Sequence, residues 1–204
     1  MKSETESPDI PSLRLLITGF EASQVVYVAA RLGVADLLAE GPRTAEGLAD
    51  ALGVDGRALH RLVHALAALG LLVDLGGSRY AITESGSRLR DGVPGSLRAV
   101  ALLSGERSYR AWGGLLHSVK AGETAFRHVF GVGTFDYMAA HPEIAGFYNE
   151  AQAAGAAERT AAVVAAYDFS EAGRSWTWEA GTAPCWSPPK TGPKTVLEPR
   201  LLQA

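Results

Sequence analysis

Between residues 43 and 82 two short helical patterns are followed by two short strand patterns around a glycine pair, and few folds accept that order. Thr44 suits the cap of a first helix, with Gly47 at its third position and Glu46 in the first turn, where a negative charge favours the helix dipole. Leu48, Ala51 and Leu52 form its expected buried side, and Gly53 ends it. Asp55 caps a second helix over residues 57–69, with Leu59, Leu62, Val63, Leu66 and Leu69 inward and Gly70 as the left-handed stop. Leu71, Leu72 and Val73 read as a strand, Gly76 and Gly77 as a turn, and residues 79–82 as the returning strand. Helix, turn, helix and two-stranded wing make a winged helix, and the fold expected is mainly α.

A winged helix that reads DNA presents Arg, Lys, Asn or Gln on the outer face of its second helix. Here the outward positions are Arg57, His60, Arg61, His64 and Ala68, and the wing tip adds only Arg79. So few cations neutralise few phosphates, and a net charge of −3 leaves no basic footprint. A scaffold or dimerisation role is favoured over DNA binding. His60 and His64 stand one helical turn apart, a spacing that suits a metal, but with no third ligand nearby they read as exposed helix residues and no metal is expected.

The flanks are helical. Residues 1–10 are polar and expected to be disordered. From Pro11 a helix follows in which Leu13, Leu16, Ile17, Phe20, Gln24, Val25, Val28 and Leu32 recur at helical spacing. Leu15, Val26, Tyr27 and Ala29 widen its apolar band beyond the stripe that one core contact needs. Either this helix is central to its own domain or it also packs against a second subunit. Residues 34–38 add a turn or two before Gly41-Pro42. Residues 83–87 start a short connecting helix, and residues 91–95 form a turn cluster.

Helices are expected at 96–104 and 106–120, the second with Tyr109, Trp112, Leu115, Leu116 and Val119 spaced three and four apart. Residues 122–133 read as a loop carrying aromatics, Thr134 as a cap for residues 135–138, and His141-Pro142-Glu143 as the start of a long helix to Ala166. Gly131-Val132-Gly133 is no phosphate loop, because no strand precedes it and Asp136 stands where a third glycine is needed. Trp112, Phe126, Phe130 and Phe135 read as core, while their grouping around a glycine-rich loop keeps a ligand pocket open as the alternative. One Cys, no apolar run near the roughly 18 residues of a membrane span, and an acidic N-terminus lead to a cytoplasmic, soluble expectation.

Taken together, Gly19-Phe20-Glu21-Ala22-Ser23-Gln24, Val34-Ala35-Asp36-Leu37-Leu38, Gly122-Glu123-Thr124-Ala125-Phe126, Phe135-Asp136-Tyr137-Met138, Pro142-Glu143 and Tyr167-Asp168-Phe169-Ser170 resemble landmarks of one family. It is that of the bacterial S-adenosylmethionine-dependent O-methyltransferases of the polyketide-tailoring, plant-like type, and the resemblance covers about residues 11–170. It implies a winged-helix dimerisation domain over 11–95 and a helical connector over 96–170 that forms one wall of the substrate pocket. It further implies an intertwined homodimer and a small aromatic or polyketide hydroxyl as substrate. By position Trp112, Phe126, Phe130 and Tyr148 would be wall residues, and Gln152 stands where the family commonly has a Met near the cofactor.

After Ser170 the family has a strand ending in a glycine-rich turn that lets the backbone approach the cofactor. This chain has Trp176-Thr177-Trp178-Glu179-Ala180-Gly181-Thr182-Ala183-Pro184-Cys185-Trp186 instead. Back-translated and read one base earlier, that stretch is able to spell Asp-Val-Gly-Gly-Gly-His-Gly-Ala-Leu-Leu, the missing turn. The expectation is therefore a reading-frame slip between Glu171 and Ser175, with residues 171–204 an aberrant, disordered tail in place of a Rossmann-like methyltransferase domain. His117, His128 and His141 match no catalytic motif, so no catalytic residue is assigned. Three readings follow: a methyltransferase form that dimerises without binding S-adenosylmethionine, a non-catalytic partner of an intact paralogue, and a winged-helix regulator.

Overall fold

The computed structural model describes residues 13–166. The expectations for residues 1–10 and for the stretch from Tyr167 onward, the frame slip and the disordered tail included, lie outside the described residues. Within them the fold is mainly α with a small antiparallel sheet.

Helix α1 (Leu13–Leu32) is turned by Gly33, at φ 73°, into α2 (Val34–Ala39). Then come β1 (Arg43–Thr44), α3 (Ala45–Leu52), α4 (Gly56–Ala68), β2 (Leu72–Asp74), β3 (Arg79–Ile82) and α5 (Glu84–Ser87). Both expected caps form: Thr44 Oγ1 accepts the Gly47 N–H at 3.0 Å, and Asp55 Oδ1 accepts the Ala58 N–H at 2.7 Å. The hairpin turns through Gly76, Gly77 and Ser78, all left-handed, at φ 82°, 59° and 58°. It pairs Leu72 with Ile82, Val73 with Ala81 and Asp74 with Tyr80.

The expected two-stranded wing is in fact part of a three-stranded sheet of order β1-β3-β2, because Arg43 and Thr44 pair with Tyr80 and Arg79. Two residues are too few to show strand alternation in a sequence. Around this sheet Leu38, Leu48, Leu59, Val63, Leu66 and Tyr80 close the core. Two of the expected core positions fail. Ala51 is exposed, since α3 turns Ala45, Leu48 and Ala49 inward and leaves Ala51 off that stripe. Leu69 is the C-cap of α4, and there it is 44% exposed.

The second half departs further from expectation. Helix α6 (Arg98–Leu103) continues without a break through a π-helical segment, Ser104–Ser108, into α7 (Tyr109–Trp112). The interruption comes at Gly113-Gly114, before α8 (Leu115–Ala121). The expected aromatic loop holds a helix, α9 (Ala125–Phe130), bounded by left-handed Gly122 and Gly131. Gly133, not Thr134, is the N-cap of α10 (Thr134–Ala140). Pro142 opens α11 (Pro142–Ala166) in the position where its missing N–H costs nothing.

α11 lies along α6, and α1 packs on both α6 and the π segment. That last contact is close: Gly105 is buried, a Cβ placed on it would lie within the Tyr27 side chain, and Gln24 Nε2 donates to the Gly105 carbonyl at 3.4 Å. Arg31 at the end of α1 reaches Glu143 of α11 at 2.5 Å, an exposed pair of small energetic weight.

Packing covers only one end of α1. Ala29 and Ala30 are buried, whereas Leu13, Leu16, Ile17 and Phe20 are at least half exposed. By length and composition α1 is also able to span a membrane, contrary to the expectation that no stretch is. The apolar series Tyr109, Trp112, Leu115, Leu116 and Val119 is exposed throughout, because the Gly113-Gly114 break divides the helix it was expected to share.

Candidate functional site

Two helices converge on one aromatic cluster. α9 supplies Phe126 and Phe130, one turn apart, with ring centroids 4.5 Å from each other. α10 supplies Tyr137, which meets Phe126 edge-on at 5.6 Å and Phe130 at 4.7 Å. His141 stacks on the other side of the cluster against Tyr137 at 4.0 Å, its ring held by a 2.8 Å hydrogen bond between Nδ1 and the Tyr137 carbonyl oxygen. Phe126, Phe130, Tyr137 and Tyr148 are all half-buried, a state in which an aromatic presents part of its ring to whatever lies beside it.

The π segment adds what the aromatics lack. Arg107 sits with its guanidinium 5.8 Å from the Phe126 ring and 5.7 Å from the Tyr148 ring, so it bridges α9 and α11. Its Nη1 donates to Met138 Sδ at 3.4 Å. Burial holds its pKa below the ordinary arginine value, while Tyr148 and Tyr137 pull it partly back, and the group stays protonated at neutral pH. One turn on, Arg110 covers Phe130 at 4.6 Å.

Of the residues singled out in the sequence, Phe126 and Phe130 therefore meet directly, and Tyr148 joins them through Arg107. Trp112 and Phe135 are not in the cluster, nor in the core: Trp112 is 68% exposed, just before the Gly113-Gly114 break, and Phe135 is 58% exposed at the start of α10. Gln152 is exposed on α11, beyond Tyr148. Arg107, Tyr137 and His141 were not anticipated. The signal available was Arg107 and Arg110 three apart in a helix otherwise rich in apolar residues.

A concavity lies away from this cluster, in the first half of the chain. It is an open groove of about 840 Å³ between α3, α4 and the hairpin, lined by Glu46, Asp55, Arg57, His60, Arg61 and Ser78 among others. Its charge is mixed, with Glu46 and Asp55 beside the arginines, and His60 lies 3.5 Å from Ser78 Oγ. That is poor complementarity for a polyanion. Among the described residues no group of three His, Cys, Asp or Glu side chains is placed to hold a metal.

Nor do the described residues fit the nucleoside of a methyl donor. Their one sheet is the short antiparallel one, and Gly131 closes a helix without following a strand.

Comparison with known proteins supplies the remaining context. The O-methyltransferase dimerisation domain matches residues 15–91. A phenazine O-methyltransferase of Lysobacter antibioticus is 43% identical over 155 residues, 76% of this chain and 46% of that protein. Among solved structures, LaPhzM superposes with a TM-score of 0.74 at 43% identity, covering 77% of this chain and 47% of that one. Human N-acetylserotonin methyltransferase in complex with S-adenosylmethionine superposes at 0.71 and 29% identity, covering 83% and 52%. The chain thus spans about half the length of the curated relatives it matches.

Proposed function

With residues 15–91 an O-methyltransferase dimerisation domain, and the chain homologous to bacterial S-adenosylmethionine-dependent O-methyltransferases, we propose that it supplies the subunit-pairing part and one substrate wall of such an enzyme. The substrate class proposed is a small aromatic or polyketide hydroxyl, and the compartment the cytoplasm. Phe126, Phe130 and Tyr148 form the wall, with Trp112 at its margin and Gln152 toward the cofactor. The glycine-rich turn that would cradle S-adenosylmethionine is missing from the stretch after Ser170, so the 204 residues as written pair subunits without turning over. The partner is a second copy, or an intact paralogue to which the wall is lent.

One observation carries this reading. The first half of α1 holds Leu13, Leu16, Ile17 and Phe20 in the open, on the same helix whose far end is fixed in the core by Ala29 and Ala30. A contiguous apolar face of this kind marks an association surface. The DNA-reading alternative has no comparable support.

Light scattering across a concentration series tests the proposal. The chain should run as a dimer, and Ile17→Asp combined with Phe20→Asp should run as a monomer of unchanged helicity. A monomer at every concentration, together with failure to co-purify with an intact methyltransferase, would sink the pairing role. Heat of S-adenosylmethionine binding in calorimetry would overturn the claim that the chain is inactive alone.

A further inference from the structure

We propose that Arg107 is an anion-recognising group of the aromatic wall, selecting planar aromatic ligands that carry a carboxylate. The proposal rests on the wall reading above and adds the charge of the ligand to it.

The observation is a cation with no counter-ion among the described residues. Arg107 is part-buried, and among the described residues it makes no ion pair; its hydrogen bond is to the Met138 sulfur, a weak acceptor. Burial is the main influence on its charge, and the titratable groups facing it are Tyr148 and Tyr137 rather than a carboxylate. A guanidinium has five N–H donors in a rigid fork. Among the described residues only Nη1 has a partner, and none of its nitrogens is among the buried unpartnered atoms, so the remaining donors open to the surface.

A latch role alone does not account for this arrangement. Contact between the guanidinium and the faces of Phe126 and Tyr148 does tie the π segment to α9 and α11. A purely structural latch would be better served by burying the stem and leaving the head fully hydrated. Here the head is held at the aromatic surface, partly desolvated, where its attraction for an anion exceeds that of a charge in bulk water. The fork matches a carboxylate through two parallel hydrogen bonds. Phe126, Phe130 and Tyr137 lie beside it to stack a flat ring. The π turn matters for this placement, since a residue inserted there rotates everything after it relative to an uninterrupted helix.

The test uses the full 204-residue chain with 1-naphthoate and its neutral isostere 1-naphthamide as probes, read by fluorescence or NMR titration at pH 7. 1-Naphthoate should bind at least tenfold tighter than 1-naphthamide. Arg107→Gln should erase that ratio while leaving 1-naphthamide binding within about twofold, and Arg107→Lys should restore only part of it, because an ammonium lacks the fork. A latch role would weaken both probes equally, so the ratio separates the two. Equal binding of the two probes overturns the assignment of Arg107 and leaves the wall intact. Binding of neither overturns both. If Arg107→Gln unfolds, the ratio is read instead on the unmodified chain at 0.05 and 0.5 M salt, where a persistent tenfold preference at low salt must shrink at high salt.

Discussion

Gly105→Ala and Gly146→Ala make the same chemical change in two helices and should have opposite effects. Neither glycine has a positive φ, so both sites accept alanine's backbone. An alanine in a helix is favoured over glycine by about 0.5–1 kcal/mol, through the smaller entropy lost on folding. At Gly146 nothing lies within 4 Å of the added methyl, so that gain stands alone. At Gly105 the methyl meets Cβ, Cγ and Cδ2 of Tyr27. Those atoms are the root of the side chain, so no rotamer change clears them, and α1 itself must move away from the π segment. Overpacking of this kind costs about 1–3 kcal/mol. The helix term is common to both variants, so the gap between them is the overpacking term, again about 1–3 kcal/mol. At roughly 2–4 °C per kcal/mol for a chain of this size, Gly105→Ala should melt about 2–12 °C below Gly146→Ala. Urea and thermal unfolding followed by far-ultraviolet circular dichroism measure this, at one protein concentration because association raises apparent stability. If Gly105→Ala is as stable as Gly146→Ala, then α1 does not press on the π segment and the placement of Arg107 loses its support.

Two further outcomes concern the core. Leu48 is fully buried between α3 and the sheet, and Leu48→Ala should cost about 2–5 kcal/mol in urea unfolding; a loss under about 1 kcal/mol would mean the site collapses around the hole. Tyr80 is buried on β3, and burial, with Asp74 adding to it, pushes its phenol above the ordinary value of about 10. The native state then keeps the proton after the unfolded chain has released it, so stability is complete below about pH 10 and falls as pH rises beyond it. Urea midpoints from pH 9 to 11 should drop in the parent chain and drop less in Tyr80→Phe; identical slopes would show that the phenol is no more shielded than in the unfolded state.

Much of the first half was legible because its determinants are local. Thr44 and Asp55 are caps, Gly53 and Gly70 are left-handed stops, and Gly76-Gly77 is a turn, each acting within a few residues of itself. The stripe of Leu59, Val63 and Leu66 needs only the helical period to be recognised. The family landmarks are likewise strings of adjacent residues, and they led to the dimerisation domain that residues 15–91 match.

What escaped the sequence depends on partners far along the chain. β1 is a strand only because β3 returns beside it, and two residues carry no period of their own. Residues 125–130 are helical between glycines that suggested a loop, since a helix this short takes its stability from what it packs against, here α7 and α8. Arg107 reads as an ordinary surface cation until the π turn, α9, α10 and α11 bring Phe126, Met138 and Tyr148 around it. The sequence by itself determined where this chain caps, turns and bends, because those preferences belong to single residues and their neighbours. Only the tertiary structure decided which faces stay bare and which charge is held against aromatic rings, because exposure and desolvation are properties of packed elements and not of any one of them.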